Sequence, residues 1–110
     1  MAGKFDLKKS PSGKYMFNLK AGNNQIVLTS ELYESKSAAE NGIALVEKHV
    51  GDEARYERRV SKNGKPHFVL NASNGQVIGK SEMYSNTSGM ESGIASVKKH
   101  GPDASVADNT

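Results

Sequence analysis

Apolar residues recur along this chain with two periods, one typical of strands and the other of helices. Between residues 15 and 20 an apolar face alternates with a more polar one, as in a half-buried strand. Between residues 39 and 50 the apolar residues are three or four apart, as on the buried face of a helix. Both patterns return in the second half of the chain, at residues 68–70 and 90–97.

The patterns return because a segment of about 50 residues occurs twice. A shift of 51 positions aligns residues 5–54 with 56–105 without a gap, and 20 of the 50 pairs are identical. Such self-similarity indicates an architecture of repeated units. One unit is near the lower size limit for folding alone, so we expect both copies to share one core. We predict one domain over 1–110, with repeats at about 4–54 and 55–108.

Each copy begins with a predicted meander of three strands. The turn between the first two strands falls at residues 10–14 in copy one and 61–65 in copy two. Both turns contain glycine, and the second contains Asn63-Gly64, a strong hairpin indicator because both residues tolerate positive φ. A further extended segment is predicted after the helix of each copy, at 53–56 and at 104–107.

The start of each helix is predicted from a capping box, in which a serine and a glutamate three residues apart each bond the other's backbone N–H. The pairs are Ser37 with Glu40 and Ser88 with Glu91. Glycines at positions 51 and 101 predict the helix ends. Gly42 and Gly93 lie in mid-helix, where glycine costs roughly 1 kcal/mol relative to alanine. We therefore expect close backbone approach there, to the sheet or to the other helix.

These elements predict an α+β fold. Two β3-α-β repeats would form one antiparallel sheet, with two helices packed on one face and an internal pseudo-two-fold axis.

The residues shared by both copies resemble those of the YegP-like family of small bacterial proteins of unassigned function. The resemblance is carried by Gly64-Lys65, Phe68-Val69-Leu70-Asn71-Ala72, Ser81-Glu82-Met83-Tyr84 and 86–99, and by 13–48 in the first copy. It spans nearly the whole chain. It implies that the two units exchange their C-terminal strands, which would place residues 104–108 in the sheet and leave Asn109-Thr110 frayed. The resemblance supplies no catalytic residues, because none are established for the family.

The composition of the chain excludes several classes of site and of function. The chain has no cysteine, which excludes disulfides, thiolate zinc sites and cysteine nucleophiles and is compatible with a reducing cytosol. Residues 1–5 lack the apolar segment of a secretory signal, and no apolar run is long enough to span a membrane. We expect a cytoplasmic monomer, an internal pseudo-dimer, that binds no cofactor and no membrane.

Basic residues around the two first turns are candidates for anion or nucleic-acid contact. They are Lys8, Lys9 and Lys14 in copy one and Arg58, Arg59, Lys62 and Lys65 in copy two. The net charge of +3, from 15 cations and 12 carboxylates, is weak support, because dedicated nucleic-acid binders concentrate cations on one face. Solvated strand ends, protected against aggregation, would explain the same residues.

The repeated Ser-Glu-x-Tyr sequence is a second candidate site. Its members Glu31, Tyr33, Glu82 and Tyr84 place a carboxylate near a phenol at each predicted strand-to-helix corner, which suits a small ligand or acid–base chemistry. The alternative is that the tyrosine packs at the corner while serine and glutamate satisfy backbone donors.

Histidines provide no third candidate. His49 and His100 end equivalent helices, His67 lies in a predicted strand, and none has metal-ligand spacing to another ligand residue. We therefore predict no metal site and no catalytic residue. Our main hypothesis is a non-enzymatic interaction or structural module that presents a sheet face or edge to a protein partner.

Overall fold

The computed structural model describes residues 3–22, 25–102 and 104–110. Met1 and Ala2, part of the segment considered for a secretory signal, lie outside them. The elements in chain order are β1 (Lys4–Lys9), β2 (Tyr15–Lys20), β3 (Ile26–Ser30), α1 (Lys36–His49), a 3₁₀ helix (Glu53–Arg55), β4 (Tyr56–Val60), β5 (Pro66–Asn71), β6 (Val77–Lys80), α2 (Thr87–His100) and β7 (Ser105–Asp108).

All seven strands form one sheet in the order β4-β5-β6-β3-β2-β1-β7. The two meanders meet where β3 pairs with β6 in antiparallel orientation, and both helices pack on one face. The predicted α+β fold is confirmed. The sheet is not wholly antiparallel, because β7 pairs with β1 in parallel orientation. Strand β7 is antiparallel to β6, the strand before α2, and it is parallel to its neighbour because it pairs with β1 of the first repeat, which also runs opposite to β6.

The predicted exchange of C-terminal strands occurs for the second repeat only. In the first repeat the equivalent residues, Glu53–Arg55, form a 3₁₀ helix, whose first turn is capped by Asp52. The chain enters β4 directly afterwards, at Tyr56, so no length remains for a separate strand. The predicted fraying at the C-terminus is also wrong, because the backbone N–H of Asn109 donates to the carbonyl of Leu7 at 2.7 Å.

Each helix starts earlier than the capping boxes predict. Ser35 caps α1 by accepting the N–H of Ala38 at 3.1 Å, and Asn86 caps α2 by accepting the N–H of Gly89 at 2.7 Å. Ser35 and Asn86 are the residues with extended backbone, at φ −137° and −154°. The serines of the predicted boxes therefore fall inside the first helical turn.

The core lies between the helices and one face of the sheet. Its centre consists of Phe5, Phe17 and Phe68, all fully buried. The pseudo-symmetry is broken near the axis, where Leu28 is buried and its counterpart in the second repeat is Gly79. A Cβ at Gly79 would lie 2.9 Å from Cγ and Cδ2 of Leu28. Only one of the two equivalent positions can therefore hold a leucine.

Candidate functional site

The serine of each Ser-Glu-x-Tyr sequence ties the end of one strand to the next. Ser30 Oγ accepts the N–H of Phe17 at 2.9 Å and donates to the carbonyl of Glu31 at 2.8 Å. Ser81 makes the same pair of bonds, to the N–H of Phe68 and the carbonyl of Glu82. Both serines are buried. Their hydroxyl groups are thus occupied by the backbone.

The tyrosine of each sequence packs against the core and a helix. Tyr33 stacks on Phe17, with ring centroids 6.2 Å apart and planes 10° apart, and Tyr84 stacks on Phe68 at 6.4 Å and 10°. A Cβ on the helix glycine, Gly42 or Gly93, would lie 2.7 Å from the tyrosine Cζ and closer still to the hydroxyl oxygen. A Cβ there would also lie 3.1 Å from the Phe17 ring or 3.3 Å from the Phe68 ring, so each helix does approach the sheet closely at its glycine. The closest group is the tyrosine, which the prediction did not name.

The glutamates of the two corners point to solvent, since Glu31 and Glu82 are exposed. Burial raises the pKa of the Tyr33 and Tyr84 phenols, and the nearby glutamate raises each pKa further. A raised pKa keeps a phenol protonated at neutral pH, so neither tyrosine is poised to act as a base.

A small cavity opens beside Tyr84, between β3 and α2. Its volume is about 190 Å³, and it is lined by Gln25, Val27, Tyr84, Gly89, Ser92, Gly93 and Ser96. The helix residues at the equivalent positions of α1 are larger, with Ala38 for Gly89, Asn41 for Ser92 and Leu45 for Ser96. Pockets for drug-sized ligands measure about 300–1,000 Å³, so the cavity suits at most a very small molecule.

The two basic turns do not lie together. Each strand in the run from β1 to β4 is antiparallel to its neighbour, which directs β1 and β4 in opposite senses. The β1–β2 turn and the β4–β5 turn therefore lie at opposite ends of the sheet, near opposite edges. One monomer cannot present both as one continuous patch.

Several of the turn cations are also engaged within the chain. Lys14 pairs with Glu34 at 2.9 Å, and Lys9 lies over the ring of Tyr15, 5.6 Å from its centroid. Arg59 pairs with Glu57 at 2.7 Å. Arg58 pairs with Glu91 and Glu53 at 2.6 and 2.9 Å. The hydrogen bonds that Arg58 donates to Glu91 and Glu53 raise the pKa of Arg58. Lys62 and Lys65 are exposed.

The sheet has a second face that neither helix covers. In β1, Phe5 and Leu7 are buried in the core, so the alternate side chains of Lys4, Asp6 and Lys8 project from the other face. The same alternation places further charged side chains there. The charged residues of the uncovered face are Lys4, Asp6, Lys8, Lys20, Glu57, Arg59 and Lys80.

The summed charge of this uncovered face, +3, equals the net charge of the sequence. The face holds five cations and two carboxylates, and the remaining ten cations and ten carboxylates of the chain balance. Lys20 pairs with Asp6 at 3.2 Å, and Arg59 pairs with Glu57. Among the described residues, Lys4, Lys8 and Lys80 take part in no ion pair.

The candidate residues predicted from the sequence include Lys8 and Arg59 but omit Lys4, Lys20 and Lys80. Alternation with buried residues places each of these lysines on the outer side of its own strand, but the strand order is needed to bring them onto one surface.

Among the described residues, no Phe or Tyr side chain lies on the uncovered face, although the imidazole of His67 does. All seven Phe and Tyr residues lie in the described part of the chain and belong to the core or pack against it. The uncharged side chains of the face include Met16, Asn18, His67 and Val69, of which Asn18 and Val69 are buried. The exposed part of the face is therefore mainly cationic, with Met16 and His67 half-buried among the charged residues.

Metal sites and membrane-spanning helices can be considered only for the described ranges 3–22, 25–102 and 104–110. No group of three or more His, Cys, Asp or Glu residues there is placed to hold a metal ion. Within the same ranges, neither helix has both the length and the apolar character that crossing a membrane requires. His49 is buried, and its Nδ1 lies 2.7 Å from the carbonyl of Leu45, a contact within its own helix.

Fold and surface define an α+β protein of two tandem units that share one sheet and leave one face uncovered. Residues 10–57 and 61–108 each match the family described as Domain of unknown function (DUF1508), and the chain belongs to this family. It is 51% identical to UPF0339 protein YegP of Escherichia coli, over all of both chains, and 54% identical to a UPF0339 protein of Bordetella pertussis, over all of this chain and 98% of the other.

Solved structures of relatives have the same fold. The solution NMR structure of yegP from E. coli, a protein of unknown function, matches with a TM-score of 0.95 at 51% identity, over 100% of this chain and 95% of the other. That of a UPF0339 protein from Shewanella oneidensis matches with a TM-score of 0.92 at 47% identity, over 98% and 92%. The resemblance to YegP-like proteins is thereby confirmed.

Proposed function

We propose that this protein is a non-enzymatic, cytoplasmic interaction module that binds an acidic protein partner on its uncovered sheet face. The observation that carries the proposal is the location of the net charge. The uncovered face has five cations and two carboxylates, and the other ten cations and ten carboxylates of the sequence cancel. A face of one sign attracts a partner of the opposite sign and orients it during encounter.

The composition of the face favours protein over nucleic acid as the partner. Single-stranded nucleic acid is typically bound by stacking bases on aromatic side chains of a sheet. Here the Phe and Tyr residues pack in or against the core on the helix side, and the described residues of the face include one ring, that of His67. The cations of the face, with the half-buried Met16 opposite Lys8, are suited to contact with acidic side chains on a protein surface.

The proposal is tested by comparing how well two charge variants retain a partner protein. The protein would be immobilised and exposed to a lysate at low and moderate salt, with and without nuclease. The face variant carries Lys4→Gln, Lys8→Gln and Lys80→Gln, and a matched control carries Lys9→Gln, Lys62→Gln and Lys65→Gln. Both remove three positive charges, but only the face variant removes them from the uncovered face.

We expect a protein that survives nuclease treatment, is retained by the control and is lost with the face variant. The proposal is overturned if the control variant loses the captured material and the face variant keeps it. Nuclease-sensitive retention lost with the control variant would instead support nucleic-acid binding through the turn cations. Unchanged melting temperatures would show that both variants are folded.

A further inference from the structure

Strand β7 covers the outer edge of β1. The two strands are parallel, with Val106 opposite Phe5 and Asp108 opposite Leu7. The N–H of Asn109 donates to the carbonyl of Leu7 at 2.7 Å, and the N–H of Ser105 donates to that of Gly3 at 3.3 Å. Backbone groups of β1 that would face solvent at an open edge are thus paired.

Strand β4 is the counterpart of β1, and its outer edge is open. Both strands pair with their hairpin partners in the same register, Leu7 opposite Phe17 in one and Arg58 opposite Phe68 in the other. In the sheet formed by the described residues, β4 is the first strand and has one neighbour, β5. Since the carbonyl of Leu7 faces β7, the matching register directs the carbonyl of Arg58 to the open edge.

The side chains along β4 match the polar residues of a strand such as β7. At the β1 edge, Asp108 lies opposite Leu7, and the Asn109 amide donates to the Asp6 carboxylate at 2.6 Å. A strand placed in the same way on β4 would bring its aspartate opposite Arg58 and its asparagine to Glu57, the counterpart of Asp6. The second edge therefore offers a cation where the segment carries a carboxylate.

Arg58 retains donors for an added carboxylate. Its hydrogen bonds to Glu53 and Glu91 leave from Nε and Nη2, and a guanidinium has two further N–H donors on Nη1. Its side chain is 37% exposed, so an incoming group can approach it. Tyr56, the counterpart of Phe5, would contact the aliphatic residue of the added strand.

We propose that the open edge of β4 binds an extended segment of a protein partner in parallel orientation, with a small aliphatic residue opposite Tyr56 and a carboxylate opposite Arg58. Addition of a strand to an exposed edge provides backbone hydrogen bonds for affinity and side-chain positions for specificity. The inference rests on the proposed interaction function and deepens it, since it names a second contact surface and the chemistry of the segment.

A peptide with the sequence of residues 104–110 serves as the probe. It would be titrated into the isotope-labelled full chain and followed by backbone amide NMR. We expect the largest shift changes at Arg58 and Val60, and about fivefold weaker binding to Arg58→Gln than to the matched control Arg59→Gln, which removes the same charge from the opposite face. A peptide with asparagine in place of its aspartate should be weakened to a similar extent.

Shift changes confined to β1 would overturn the inference, because they would mean that the peptide only displaces β7. Absence of binding at millimolar peptide and low salt would overturn it as well, as would equal affinity for the two variants. The sedimentation coefficient of the protein alone could also increase with concentration, and Arg58→Gln could abolish that increase. This result would show that a second copy binds the β4 edge, and it would contradict the inference. If the peptide does not bind β4 but a partner is still retained on the uncovered face, this inference is wrong and the proposed function is unaffected.

Discussion

Leu7 and Arg58 hold the same position in the two repeats, yet Leu7 is fully buried and Arg58 is exposed and paired with two glutamates. Strand β7 lies beside Leu7 and closes that edge, whereas the edge beside Arg58 is open. A leucine on the open edge would expose apolar surface next to unpaired backbone groups, which promotes edge-to-edge association. The difference between the two residues thus follows from the one-sided strand exchange.

The different environments of Leu7 and Arg58 predict different effects for the two reciprocal substitutions. Leu7→Arg should lower the free energy of unfolding by about 3 kcal/mol or more, because it buries a charge without a partner. Arg58→Leu should change stability by about 1 kcal/mol or less, since exposed ion pairs contribute little, but it should increase self-association. Urea unfolding and sedimentation velocity measure the two effects. Equal destabilisation by both would contradict the assigned environments.

The contact between Tyr84 and α2 predicts a steric effect at Gly93. Gly93→Ala should destabilise by about 1–3 kcal/mol through overpacking, despite the roughly 1 kcal/mol that alanine gains in helix propensity. Tyr84→Phe removes the hydroxyl that would clash most closely, so the double variant should lose less than the sum of the single losses. Gly51→Ala is the control, because a Cβ there meets nothing within 4 Å. Strict additivity would refute the contact.

The position of Leu28 over Gly79 predicts that a leucine can be exchanged between the repeats. Gly79→Leu alone should destabilise by about 1–3 kcal/mol, because two leucines would occupy one space. Combining it with Leu28→Gly should recover part of that loss, since the single leucine then projects from the other repeat. Thermal unfolding of the single and the double variant measures the two losses of stability. A double variant less stable than Gly79→Leu would show that the positions are not interchangeable.

Acid should release β7 before the rest of the sheet. The pKa of Asp108 is lowered chiefly by a hydrogen bond from Lys36. Burial raises the pKa of Asp6, but hydrogen bonds from Asn109 and Lys20 outweigh it and lower that pKa too. Since unfolded aspartate titrates near pH 3.9, both anchors stabilise fully above that pH and weaken as pH falls through their lower folded pKa values. NMR shifts of Val106 should move toward random coil below about pH 4 while those of Phe68 stay native.

In that acid titration Asp108→Asn serves as the control, because it should reduce the pH dependence at Val106. Simultaneous loss of Val106 and Phe68 shifts would indicate global unfolding and contradict local release.

Much of the fold follows from the repeated pattern. Matching periods in both copies predict the meanders and helices, and the pairing of two units predicts the single sheet. The extended segment that forms β7 was predicted, but its parallel orientation and the 3₁₀ helix were not, since both depend on where the chain must go after each helix. The capping residues were misplaced because Ser35 and Asn86 can cap as well as the serines that follow them.

The candidate site was less predictable than the fold. Sequence proximity grouped the turn cations, but the strand directions place them at opposite ends of the sheet. The uncovered face collects Lys4, Lys20 and Lys80 from three different strands, and no local pattern links residues so far apart in the chain. Only the strand order and register show that they share one surface.

Zero-length carbodiimide cross-linking of the captured partner, read by mass spectrometry, tests the central claim most directly. The reagent joins lysines only to carboxylates that touch them, so it identifies the contact surface residue by residue. The account predicts cross-links from Lys4, Lys8 and Lys80 to acidic residues of the partner. Cross-links confined to the turn lysines Lys62 and Lys65, or to the helix lysines Lys48 and Lys99, would contradict it.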